Sequence, residues 1–240
     1  MRKITINLAA VAAFCIVVAS PALVSSSCAT PKTEQEDTTI IREDSGITAL
    51  KYSSPEVPAS IEFCGKTIDL SRFDRHERMD RELLAFTYMH STSLQMLKKA
   101  NRYFPIVEPI LKENGIPDDF KYLMVIESNM NPTARSSAGA AGLWQFMQGT
   151  GRDYGLEVNN NVDERYHIEK ATRAACRYLK DAYAKYKDWV AVAASYNAGQ
   201  ARIASQLAKQ DVDDSLDLQL VEETARYVYR ILAHKQLFNA

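Results

Sequence analysis

The sequence carries no surplus of charge: 29 basic against 30 acidic residues leave a formal net charge of −1. Such a balance supplies no electrostatic footprint for nucleic acid, and it points to no anionic membrane surface either. No apolar run reaches the roughly 20 residues that a bilayer-spanning helix needs. His76, His90, His167 and His234 are scattered and show no ligand spacing with the four cysteines, so neither a metal nor another cofactor is expected. The folded part contains no convincing alternating strand. What is present is the ordinary mixture of a soluble globular protein, 46% hydrophobic and 25% charged, in 240 residues. That length suits one domain of ordinary size with accessory N-terminal segments.

Those segments have distinct signatures. Arg2 and Lys3 precede a largely apolar stretch over residues 4–19, and small residues follow, which reads as an export signal over residues 1–27. Ser25-Ser26-Ser27-Cys28 resembles a lipobox, with Cys28 as the lipidated residue, although Ser25 stands where a fuller match has Leu. The expected location is therefore the periplasmic side of the envelope, as an outer-membrane lipoprotein or else a secreted protein. Cys15 leaves with the leader, and Cys64 and Cys176 remain, able to bridge in an oxidising compartment or to stay unpaired. Residues 28–72 read as a tether, because the stretch 29–58 is rich in Thr, Ser, Glu, Asp and Pro and has little to bury. A short extended piece surrounds Gly65.

The remainder, residues 73–240, reads as a mainly α domain. Met79, Leu83, Phe86, His90, Leu94 and Leu97 recur at helical spacing. A second helix is expected over residues 104–114, with Pro105 in its first turn and Gly115 as its stop. Asp118 or Asp119 can cap a third helix, Phe120–Ser128. Others are expected from near Gly142 and over 167–187, 189–197, 200–209 and 221–237.

The third helix holds the most informative residue. FKYLMVI is apolar on nearly every side, which marks a buried helix. Glu127 ends it on the stripe of Phe120, Leu123 and Met124. A carboxyl held there loses hydration, so its pKa should rise toward what a general acid needs; alone, a Glu at a helix end more often pairs or caps. After Asn131-Pro132 comes RSSAGAAGLWQFM, whose Gly139, Ala140, Ala141 and Gly142 let a ligand approach the backbone. Trp144 offers a flat face for a sugar ring or is a core residue. Gln145 and Met147 follow, then Ser195-Tyr196-Asn197-Ala198-Gly199, and finally Glu223-Thr224 ahead of Tyr227-Val228.

The string ES(x)₂NP(x)₃S(x)₂GA(x)GLWQFM, the YNAG element and the ET(x)₂YV element, in that order, resemble the catalytic domain of soluble-type (SLT) lytic transglycosylases. RHERMD, KYLMVIESNMNP and VDERYHIEKATRAACRYLKD resemble the membrane-bound lytic murein transglycosylase D group. The resemblance implies a lysozyme-like helical fold of goose-lysozyme type. It implies Glu127 as the single catalytic acid/base, with Ser136, Gln145, Met147, Tyr196 and Asn197 lining the substrate cleft. Trp144 joins them as a substrate-binding candidate, and Glu223 has a supporting part. The chain departs from the pattern at Gln148, where the family commonly has Pro, and at Ser195, where it has Ala.

The implied substrate is the glycan strand of peptidoglycan, cut between MurNAc and GlcNAc with formation of 1,6-anhydro-MurNAc. Ordinary glycosidases use two carboxyl groups, and the residues around Glu127 in the sequence supply no obvious second one. Intramolecular attack gains from proximity and needs no activated water. The partners expected are the wall glycan and, through a lipid on Cys28, the membrane, with the protein a monomer. Two competing readings are a hydrolytic muramidase of goose-lysozyme type and a non-catalytic wall-binding lipoprotein. A scaffold that cuts the wall locally is compatible with the main reading.

Overall fold

A computed structural model describes residues 55–89 and 91–239. The export signal, Cys28 and most of the tether lie outside the described residues. Among the described residues no helix is long and apolar enough to cross a membrane.

The folded unit begins earlier than residue 73. Strands β1 (Ser60–Phe63) and β2 (Lys66–Asp69) pair antiparallel, Ser60 opposite Asp69 and Phe63 opposite Lys66. Cys64 and Gly65 both take positive φ, 53° and 81°, as a two-residue hairpin turn requires. Alternation sends Ile61, Phe63 and Ile68 to one face, and with Leu70 they are buried in the core. This corrects the tether at its C-terminal end: residues 60–70 are folded, because the hairpin has an apolar face to bury.

Helices α1 (Phe73–Thr87) and α2 (Ser91–Glu113) follow. Met79, Leu83 and Phe86 are buried as their spacing predicts, but Leu94 and Leu97 are 61% and 38% exposed. The apolar register restarts in α2 on Met96, Ala100, Tyr103, Val107 and Ile110. Pro105 does not open a helix. It lies inside α2 with Pro109, and both are exposed. A proline in a helix interior removes a hydrogen bond; on an outer face, water can satisfy the freed carbonyls, while the buried face runs on unbroken.

Helix α3 (Phe120–Ser128) lies where the sequence places it, with Phe120, Ser128 and every residue from 122 to 126 buried. Asp119 makes no side-chain cap. Its carboxylate instead accepts the backbone N–H of Cys64 at 2.6 Å and pairs with Lys235 at 2.7 Å, fastening the hairpin and the last helix to this end of α3. No helix begins at Gly142. Ala141 bridges to both Arg135 and Phe146, and α4 is the short Gln148–Asp153. Helices α5 (Ile168–Tyr186), α6 (Trp189–Ala198), α7 (Gln200–Gln210) and α8 (Glu222–Phe238) complete the chain. α8 packs against α1, α3 and α6, and α2 packs against α3 and α5. The architecture is mainly α, and α3 is buried between α2 and α8.

Candidate active site

Glu127 sits in the last turn of α3, half-buried, where the helix stops because Asn129 and Met130 both turn left-handed, at φ 49° and 52°. Tyr227 of α8 donates its hydroxyl to Glu127 Oε1. Burial pushes the Glu127 carboxyl from its ordinary 4.5 up to about 7; the Tyr227 hydrogen bond and the Arg230 charge oppose the rise, and Glu223 adds to it. Among the described residues no cation forms an ion pair with it. A carboxyl in this state holds a proton near neutral pH and has one hydroxyl contact.

Tyr196, near the end of α6, donates to the carbonyl of Trp144 at 2.7 Å. Desolvation, and then the nearby Glu127, hold its phenol well above the ordinary value. Tyr196 and Asn197 join Gln145 and Met147 around a hollow of about 310 Å³, which Phe146, Thr150 and Tyr178 also line. Four of the expected cleft residues are thereby gathered from the turn after α3 and the end of α6. Gln145 has φ 50°, and its Nε2 donates to the carbonyls of Gly142 at 2.8 Å and Ala134 at 3.2 Å. That leaves its Oε1 as an acceptor. Met147 is 45% exposed.

Ser136 is exposed on the same loop, and its hydroxyl accepts the N–H of Ala140 at 3.0 Å. Glu223 is exposed in the first turn of α8, one turn before Tyr227, and acts on Glu127 through charge alone. Trp144 must be corrected. It is fully buried in the core, and its Nε1 donates to Thr172 Oγ1 at 2.9 Å, so no ring face is open to a sugar. Cys64 and Cys176 are both free thiols.

Three contributors were not assigned from sequence. Tyr227 and Arg230 act on Glu127. Thr224 donates to Asn197 Oδ1 at 2.8 Å, tying α8 to the end of α6. The ET(x)₂YV string held the signal for Tyr227, four residues and so one turn on from Glu223. Nothing in the string says which side chain of that face reaches the acid.

Residues 105–217 match the family described as the transglycosylase SLT domain. They resemble an SLT domain. Glu127, Ser136, Trp144, Gln145, Met147, Tyr196 and Asn197 lie inside that match, and Glu223 lies outside it. Membrane-bound lytic murein transglycosylase D of Escherichia coli strain K12 is 31% identical over 162 residues, 65% of this chain and 35% of that protein. Peptidoglycan transglycosylase gp16 of Escherichia phage T7 is 31% identical over 123 residues, 50% of this chain and 9% of that protein. The chain thus spans about a third or less of the length of these relatives. The 70 kDa soluble lytic transglycosylase of Escherichia coli superposes with a TM-score of 0.50 at 22% identity, over 57% of this chain and 24% of that one. The shared fold is the lysozyme-like helical fold of SLT domains.

Proposed function

We propose that this chain is a lytic transglycosylase that cuts peptidoglycan glycan strands between MurNAc and GlcNAc and leaves 1,6-anhydro-MurNAc. One observation carries the reading: a half-buried carboxyl close enough to Tyr196 of the hollow to act on it by charge, Glu127, whose pKa near 7 suits both giving and taking a proton. Protonated Glu127 donates to the glycosidic oxygen, and GlcNAc departs as its C4 alcohol. The N-acetyl group of the substrate stabilises the charge developing at C1 of MurNAc. The C6 hydroxyl of the same sugar then attacks C1, and its proton returns to Glu127. No water enters, and the acid ends as it began.

The neighbours fit these steps. Tyr227 donates to Oε1 and favours the carboxylate once the proton has left. Gln145 Oε1 and the Ser136 hydroxyl offer polar contacts to sugar hydroxyl and amide groups. Met147, Tyr196 and Asn197 shape the hollow that receives the ring. Ser25-Ser26-Ser27-Cys28 supports export to the periplasmic side of the envelope, with a lipid on Cys28 as the anchor; the protein acts there as a monomer.

Digestion of purified peptidoglycan, followed by mass analysis of released muropeptides, tests the activity. Wild type is expected to give anhydro ends, 18 Da lighter than hydrolytic products, and Glu127→Gln none. Ordinary reducing ends would overturn the transglycosylase in favour of a muramidase, and release undiminished in Glu127→Gln would overturn the assignment of the acid.

A further inference from the structure

The loop 135–147 has no regular helix or strand to hold it, yet it carries Ser136, Gln145 and Met147. Besides its own bridges and the buried Trp144, part of what holds it comes from a turn about twenty residues downstream. Arg165 is 4% exposed. Its Nη1 donates to the carbonyl of Gly139 at 2.8 Å and to that of Phe146 at 3.0 Å, one near the tip of the loop and one at its exit. Nε and Nη2 fork onto Asp163, at 2.9 Å to Oδ1 and 2.7 Å to Oδ2. A bidentate fork of this kind fixes the guanidinium plane as well as its position.

The approach is close on a second side. A Cβ on Gly142, which has φ 78°, would lie 1.9 Å from the Arg165 carbonyl oxygen, so only glycine lets the loop rest on the Arg165 backbone. The methylene stem of Arg165 in turn lies 3.4 Å from where a Cβ on Gly151 would stand, within α4. With its Asp163 and carbonyl bonds made inside the protein, the guanidinium is not placed to recognise substrate.

We propose that Arg165, held by Asp163, is a positioning residue for the transglycosylase reaction, clasping the tip and the exit of the loop that presents Ser136, Gln145 and Met147. The inference rests on the reading of the activity given above. Glu127 is set by α3 and Tyr227 by α8, neither of which the clasp touches. Loosening it therefore displaces the cleft wall and leaves the acid unchanged. A displacement of the order of 1 Å costs a rate about 100-fold.

The test uses Arg165→Lys, which keeps the charge and loses the fork, and Asp163→Asn, which keeps the shape and weakens the fork. Amide hydrogen exchange is followed over residues 136–146 without substrate, and kcat and KM are followed on peptidoglycan as a function of pH. Faster exchange in that loop, kcat/KM lower by about 10–100-fold for Arg165→Lys and less for Asp163→Asn, and a high-pH limb in its wild-type place are expected. Wild-type kinetics in Arg165→Lys would overturn the proposal. So would a rate loss with unchanged loop exchange, or one that moves the pH limb. If the wild type forms no anhydro product the activity reading fails instead, and exchange still judges the clasp.

Discussion

Two glutamates are served by neighbouring residues of α8, and they are served in opposite ways. Glu82 of α1 is 5% exposed and takes Arg226, with Nε at 2.6 Å and Nη2 at 3.3 Å, while Arg81 lies 3.3 Å away. Glu127 of α3 takes the hydroxyl of Tyr227. One carboxyl therefore has its charge matched by guanidinium groups and fastens α1 to α8. The other has only a neutral donor, and burial leaves it with a proton near pH 7. Burial alone does not make a carboxyl reactive. The carboxyl proposed to react is half-buried, has no ion-pair partner among the described residues, and acts through its charge on Tyr196 of the hollow.

The comparison breaks first at the acid itself. Glu127→Gln is expected to lower turnover by at least 10³-fold, about 4 kcal/mol of barrier, measured by release of soluble muropeptides; a smaller loss would mean another group supplies the proton. Next is the structural pair. Arg226→Met leaves Glu82 without its fork; because Arg226 is partly exposed and Arg81 stays beside Glu82, the cost is below that of a fully buried pair, about 1–3 kcal/mol, read from urea unfolding. Stability unchanged in that variant would erase the distinction between the two carboxyls.

A subtler expectation concerns stability at Glu127. Its folded pKa of about 7 lies above the ordinary 4.5, so the folded state holds the proton more tightly than the unfolded chain. That contribution is fully present below pH 4.5 and is lost as pH rises through 7. Glu127→Gln has no such loss and is expected to be the more stable protein at pH 8, by about 1–3 kcal/mol, in the same unfolding assay. The smallest effect sharpens the comparison. Tyr227→Phe removes the donor that favours the carboxylate, so the pKa rises and the falling limb of the rate profile moves to higher pH. A limb that moves down would show that Tyr227 acts on the protonated form.

Legibility varied with how local each signal was. The bounds of α3 followed from FKYLMVIES and the Asn131-Pro132 that comes after it, because an all-round apolar segment has only burial as its outcome. Pro105 misled, since its cost in a helix depends on which face it occupies, and here the outer face of α2 accepts it. Trp144 misled for a similar reason: a ring able to stack on sugar is equally able to fill a core, and its N–H found Thr172 inside. The hairpin was half visible. Gly65 and the alternation of Ile61 and Phe63 were present, but four-residue strands weigh little beside a polar tether until a core exists to receive them.

The sequence by itself determined that a mainly helical domain would carry one carboxyl at the end of an apolar helix, with small-residue and Tyr–Asn elements at fixed places along the chain. Periodicity and local composition suffice for that, because helices follow from residues three and four apart. Only the tertiary structure decided that Tyr227 and not an arginine meets Glu127, that Arg226 goes to Glu82, and that Arg165 reaches back to Gly139 and Phe146. Those choices join residues tens of positions apart, and they are set by which faces pack together, which no local pattern encodes.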